Sequence, residues 1–143
     1  GEKNAVFMKM DDPTFKTFLS DRLLVINVIQ QGVPYALFNI VRDYTPFEME
    51  DWLVFLDLSS KTLMRYKESE RTFRPIQSEK IIEMAEVTQT GIEVFGNMEK
   101  FKLWLNTPNF SLGKSKPMDL LKSSYGKDLV LAELTHINHG ILA

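Results

Sequence analysis

The chain has no cysteine in its 143 residues. That excludes a disulfide framework, a thiolate zinc site and a cysteine nucleophile, and it fits the reducing cytoplasm. No apolar run reaches the roughly 18 residues that span a bilayer. The longest, Leu23 to Ile29, is interrupted by Asn27, so no membrane partner is expected. The opening Gly-Glu-Lys-Asn carries no signal-peptide pattern. A glycine-rich phosphate loop and a nucleophile elbow are also missing, which argues against an enzyme and against a nucleotide cofactor. Excess charge of either sign is missing too. A net charge of −2 argues against a protein that coats nucleic acid along its length, but leaves room for a small DNA-reading module. What is present is a 44% hydrophobic content, ordinary for a globular protein of one domain or two small ones.

The charge is unevenly placed. From Asp11 to Leu58 there are three basic and eight acidic residues, a balance of −5. From Ser59 to Lys80, six basic residues (Lys61, Arg65, Lys67, Arg71, Arg74 and Lys80) face Glu68, Glu70 and Glu79, a balance of +3. The positive charge collects in one short window.

The punctuation predicts an all-α fold. Asp12-Pro13 suits a helix start, and Gly32 suits the stop after Leu23 to Gln31. Val25, Ile26, Val28 and Ile29 would equally suit a buried strand. Pro34 starts the next helix. Thr45-Pro46-Phe47-Glu48 reads as a capping box, with Thr45 as the cap. Trp52, Leu53 and Leu56 then face inward, and Ser59 caps a following helix in which Leu63 and Tyr66 share a face. The polar stretch Ser69 to Gln77 reads as a loop and divides the chain into domains 1–76 and 77–143. A long helix begins at Ser78, with Ile81, Ala85, Thr88, Ile92 and Phe95 on one stripe, and Gly96 stops it. Asn97 caps a helix carrying Phe101, Trp104 and Leu105, and Pro108 bars its continuation. Pro117 starts a short helix, and a last one runs from about Lys127 to His139. Trp104 is expected in the core, and Gly126 and Gly140 are expected to end helices.

Thr45 to Lys67 therefore has the form of a helix-turn-helix. Such a motif needs short polar and basic side chains near the start of its second helix, and apolar ones to anchor it. Ser60, Lys61 and Arg65 are expected to point outward to DNA, with Leu63 and Tyr66 inward. Leu58 to Tyr66 resemble the turn and recognition helix of Xre-type regulators. Where many such regulators carry a small residue and a turn glycine, this chain has Leu53 and Asp57.

Further on stand Val94-Phe95-Gly96, Trp104-Leu105-Asn106-Thr107-Pro108-Asn109, Pro117-Met118-Asp119-Leu120-Leu121, Gly126 and His139-Gly140. In that order they resemble the toxin-binding domain of Xre/MbcA/ParS-type antitoxins. The resemblance implies an antitoxin that neutralises a RES-type, NAD-consuming toxin and represses its own operon by binding operator DNA. It implies a homodimer, no catalytic residues and no cofactor. His139, Gly140, Ile141, Leu142 and Ala143 would be the toxin-binding residues, an apolar tail turned out of the last helix at Gly140. His136 and His139 stand three apart, but no third ligand has metal-site spacing, so no metal is expected. The alternatives are a regulator without a toxin, or a dimerisation module that does not bind DNA.

Overall fold

The computed structural model describes residues 12–142. Among them the chain is helical: α1 (Asp12–Ser20), α2 (Arg22–Gln31), α3 (Tyr35–Tyr44), α4 (Met49–Leu56), α5 (Ser60–Ser69), α6 (Pro75–Phe95), α7 (Met98–Leu105), a single 3-10 turn (Phe110–Leu112), α8 (Pro117–Leu120) and α9 (Ser124–Leu142). Two isolated β-bridges, Pro34 to Thr72 and Asn109 to Ser115, pin loops. The all-α expectation holds, and the ambiguous Leu23 to Gln31 segment is a helix. The chain divides into two compact units, residues 1–86 and 87–143. The dividing point falls inside α6, ten residues beyond the boundary read from the polar loop.

Unit 1 closes around aromatic rings. Trp52 is 0% exposed. It meets Phe38, Phe47 and Phe55 edge-on, with centroids 5.2, 5.8 and 5.6 Å away. Phe73 extends the cluster to Phe38 and Tyr66, each at 5.1 Å. Such edge-to-face pairs add about 0.5–1.5 kcal/mol each beyond the area they bury. The indole N–H of Trp52 has no acceptor among the described residues.

This cluster also explains a correction. Thr45 does not cap α4. Its N–H donates to Val41 O and its hydroxyl to Arg42 O at 3.1 Å, so it closes α3 instead. Glu48 is the cap of α4, its N–H donating to Asp51 Oδ2 at 2.9 Å. Moving the start three residues on leaves Phe47 outside the helix, where it is buried against Trp52. Ring packing outweighs a local cap worth about 1 kcal/mol.

The α6 helix begins at Pro75, three residues before the expected Ser78. Its first turn consequently carries two buried polar residues, Gln77 and Ser78. Val33 N–H donates to Ser78 Oγ at 2.8 Å, and that hydroxyl donates to Phe73 O at 3.2 Å. Gln77 Nε2 donates to Leu56 O at 3.2 Å, occupying a carbonyl that the end of α4 leaves open. Phe73 N–H donates to Val33 O at 2.9 Å. These bonds tie the ends of α2 and α4 to the start of α6.

Unit 2 is built on the last turns of α6, α7, the 3-10 turn, α8 and α9, and α8 packs against both α7 and α9. Val87, Phe101, Leu105, Leu121, Val130 and Leu134 are fully buried apolar side chains of this unit. Asn97 caps α7 as expected, accepting from Lys100 N–H at 2.8 Å. Trp104, however, is half-buried. Phe101 and Leu105, four apart, own the inward stripe of the eight-residue α7. Trp104 lies beside it, against Phe95 at 5.6 Å and Phe101 at 6.4 Å.

Two glycines expected to stop helices do not. Gly126 is buried in the first turn of α9, its N–H donating to Ser123 Oγ at 3.1 Å. A Cβ there would overlap the carbonyl of Leu120, so glycine serves a backbone contact with α8. Gly140 lies within α9, exposed, with open space around its Cβ position. An exposed helical glycine costs only about 1 kcal/mol relative to alanine. That is too little to end a helix without a capping partner.

Candidate functional site

The candidate nucleic-acid interface is the pair α4 and α5 with the turn between them. α4 ends in a Schellman arrangement. Leu58 N–H donates to Leu53 O at 3.1 Å and Asp57 N–H to Val54 O at 3.2 Å. Asp57 stands at φ 53°, ψ 50°, in the left-handed region that favours glycine. The turn is thus made with a carboxylate where glycine was missing. Ser59 then caps α5, accepting from Thr62 N–H at 3.1 Å and donating to Thr62 Oγ1 at 2.9 Å.

The helical period sorts the faces of α5. Leu63 and Tyr66 are buried, while Ser60, Lys61 and Arg65 are exposed, as are Met64 and Lys67. The left-handed residue Glu70 closes α5 at φ 52°. Arg71 follows, its guanidinium 5.6 Å from the centre of the Tyr66 ring. An open hollow at this end of α5 is lined by Arg65, Glu68, Ser69 and Arg71. A second groove runs between Tyr35 and Arg42 of α3, Met49 of α4, and Ser60, Leu63, Met64 and Lys67 of α5. The exposed face of α5 therefore presents hydroxyls and cations that suit phosphate oxygens and base edges.

In unit 2 the outer face of α9 carries exposed apolar side chains. Tyr125 is 88% exposed and Leu129 is 55% exposed. Ala132, His136, His139 and Gly140 continue the same face at spacings of three and four, all exposed. From Leu129 to Leu142 the sequence carries one carboxylate, Glu133, and no lysine or arginine. A long uncharged stripe is unusual for a solvated helix face. The tail expected to turn out at Gly140 is instead helical through Leu142, and Ala143 lies outside the described residues. Sequence reading singled out the end of this helix and missed the stripe upstream of it. The signal was there in the run Leu129, Ala132, His136 and Gly140, which carries no charge.

His136 and His139 are both on the exposed side of α9. Among the described residues, no group of three or more metal-ligating side chains gathers. No described helix is long and apolar enough to cross a membrane.

A family model described as "Antitoxin Xre/MbcA/ParS C-terminal toxin-binding domain" matches residues 90–140. Residues 90–140 are thus similar to the toxin-binding domain of that antitoxin family. The matched stretch holds the end of α6, all of α7 and α8, and α9 up to Gly140, so it coincides closely with unit 2. Across more of the chain, "Antitoxin Xre" of Yersinia enterocolitica is 22% identical over 121 residues, covering 84% of this chain and 82% of that protein. That likeness reaches beyond residues 90–140 into the segment carrying α4 and α5.

Proposed function

We propose that this protein is the antitoxin of a type II toxin–antitoxin pair, without catalytic activity of its own. It neutralises a RES-type, NAD-consuming toxin by covering the entrance to its active site. It represses its own operon by binding operator DNA, works as a homodimer in the cytoplasm, and needs no cofactor. The observation that carries this reading is the match of residues 90–140 to an antitoxin toxin-binding domain, together with the uncharged outer face of α9 inside that match. Toxin contact falls on His139, Gly140, Ile141, Leu142 and Ala143, with Leu129 and Tyr125 extending the surface along α9. Open space at Gly140 lets a partner backbone approach closely.

DNA contact falls on Ser60, Lys61 and Arg65. Their exposure and the Ser59 cap support this, as does the local charge balance of +3. Lys61→Ala and Arg65→Ala each weaken operator binding, by about 1–3 kcal/mol where the residue reads a base edge. Added salt weakens it further.

The test of the whole reading is a titration. The enzyme encoded beside this chain is assayed for NAD consumption against wild type, Leu129→Glu and a chain lacking Ile141 to Ala143. Inhibition by wild type that is lost in both variants supports the reading. An enzyme untouched by wild type overturns it.

A further inference from the structure

The surface has a second uncharged apolar face, and it lies outside the antitoxin match. α2 has only one buried side chain, Val25. Opposite it, Leu23 is 81% exposed and Ile26 is 49% exposed. Leu23, Ile26, Asn27 and Gln30 recur at spacings of three and four, which places them on one side of the helix. From Leu23 to Gln31 no side chain carries a charge. A ten-residue helix this apolar gains little from one buried valine, since helices in proteins are held mainly by packing.

We propose that the outer face of α2 is the surface through which two copies of this chain pair about a two-fold axis. This deepens the homodimer of the preceding reading and rests on it. Three observations select a second copy as the occupant. The first is charge. Residues 11–58 carry a balance of −5, so like surfaces from this half repel each other except where charge is missing, and α2 is that place. Arg22, at its start, is already held to Glu86 at 3.5 Å. The second is polar self-complementarity. Asn27 and Gln30 each carry a donor and an acceptor, so each amide can satisfy an identical amide across a two-fold axis. A single buried asparagine in an apolar seam is a known device for fixing register. The third is division of labour: the α9 face falls within the toxin-binding match and the α2 face does not.

The size of the face sets the strength. A ten-residue helix is about 15 Å long, so α2 alone offers less than the roughly 800 Å² per partner of a standard interface. A face this small holds a weak dimer.

The experiment is sedimentation equilibrium of the full chain and of Leu23→Glu, Ile26→Glu and Leu129→Glu, each with a thermal melt. Wild type dimerises at concentrations on the order of 100 µM. Leu23→Glu and Ile26→Glu each set two carboxylates facing one another across the axis, and raise the dissociation constant on the order of 100-fold. Both positions are exposed in the monomer, so the melts of the dilute proteins stay close to wild type. Leu129→Glu dimerises as wild type does. A wild type that stays monomeric overturns both the proposal and the homodimer reading. A wild-type dimer unaffected by Leu23→Glu and Ile26→Glu overturns the proposal alone. So does a dimer lost in Leu129→Glu, which moves the axis to α9. A chain starting at Asp12 that dimerises where the full chain does not makes the chain's own first residues the occupant, and overturns it as well.

Discussion

Unit 1 encloses Trp52 within Phe38, Phe47 and Phe55, whereas unit 2 sets the ring of Phe101 on Gly91 and the carbonyl of Leu120 on Gly126. Helix ends do not separate the two units: in unit 1 α2 ends on Gly32 at positive φ and α4 and α5 end on Asp57 and Glu70, while in unit 2 Gly96 follows α6 and both Gly113 and Lys114 follow the 3-10 turn. The cores differ instead. A large-to-small change should cost most at Trp52 of unit 1, which is held by the rings around it, and a small-to-large change should cost heavily at Gly126 of unit 2, which leaves room for a neighbouring carbonyl.

The widest difference is expected between the two tryptophans. Trp52→Ala removes a fully enclosed ring and costs about 3–5 kcal/mol. Trp104→Ala, half-exposed beside Phe95, costs about 1 kcal/mol, since the loss scales with the area buried. Urea unfolding of both variants measures this directly. Equal losses would mean that the half-exposed ring matters as much as the enclosed one, and the contrast between the units would collapse.

Next come the glycines of α9. Gly126→Ala forces a Cβ into the Leu120 carbonyl, where only backbone movement can relieve it, and costs about 3 kcal/mol. Gly140→Ala meets nothing and stabilises by up to about 1 kcal/mol, the ordinary helix-propensity gain. Opposite signs in paired thermal melts are the expected result. A tolerated Gly126→Ala would show that α8 and α9 do not approach as closely as the unit 2 design requires.

Ser78→Ala acts at the start of α6. It leaves the buried Val33 N–H and Phe73 carbonyl with one bond fewer each, and costs about 2 kcal/mol. Ser78→Thr keeps the hydroxyl and separates the lost bonds from the changed shape. Circular dichroism melts of the two variants should differ, with the alanine form the weaker. Similar melts would mean that the buried hydroxyl is dispensable to unit 1.

These positions also mark what could be read from the residues alone. Local signals with a single meaning were legible: the Ser59 and Asn97 caps, the stops at Gly32 and Gly96, and the sorting of Leu63 and Tyr66 from Ser60, Lys61 and Arg65 by helical period. Signals with two meanings were not. Glycine marks either a stop or a contact, and only the Leu120 carbonyl decides the case of Gly126. Thr45 suits the cap of one helix or the close of another, and the Phe47–Trp52 packing decides it. Tryptophan suggests a core, but Phe101 and Leu105 already occupy the stripe beside Trp104. The α9 face was legible only at its end, because exposure of Tyr125 and Leu129 depends on what the other helices leave uncovered.

The smallest expected effect lies in the turn of the candidate DNA-reading hairpin. Asp57 costs unit 1 in two ways. A non-glycine residue in the left-handed region is strained, less so for aspartate than for most. Its carboxylate also sits at the negative end of the α4 dipole. Asp57→Gly relieves both, but gives back part of the gain as extra freedom of the unfolded chain, for a net stabilisation of about 0.5–1 kcal/mol. Asp57→Asn removes the charge and keeps a residue that tolerates the left-handed region, so it isolates the dipole part, about 0.3 kcal/mol. If the hairpin meets DNA, both variants also remove a negative charge beside phosphates, and operator binding tightens equally in both, most at low salt. Unfolding and operator-binding titrations of the same two proteins thus separate strain from charge. Stability that rises in both variants, more in Asp57→Gly than in Asp57→Asn, with DNA affinity that rises equally in both, is the expected pattern. A drop in stability for Asp57→Gly would mean that the carboxylate is held by the turn rather than merely tolerated.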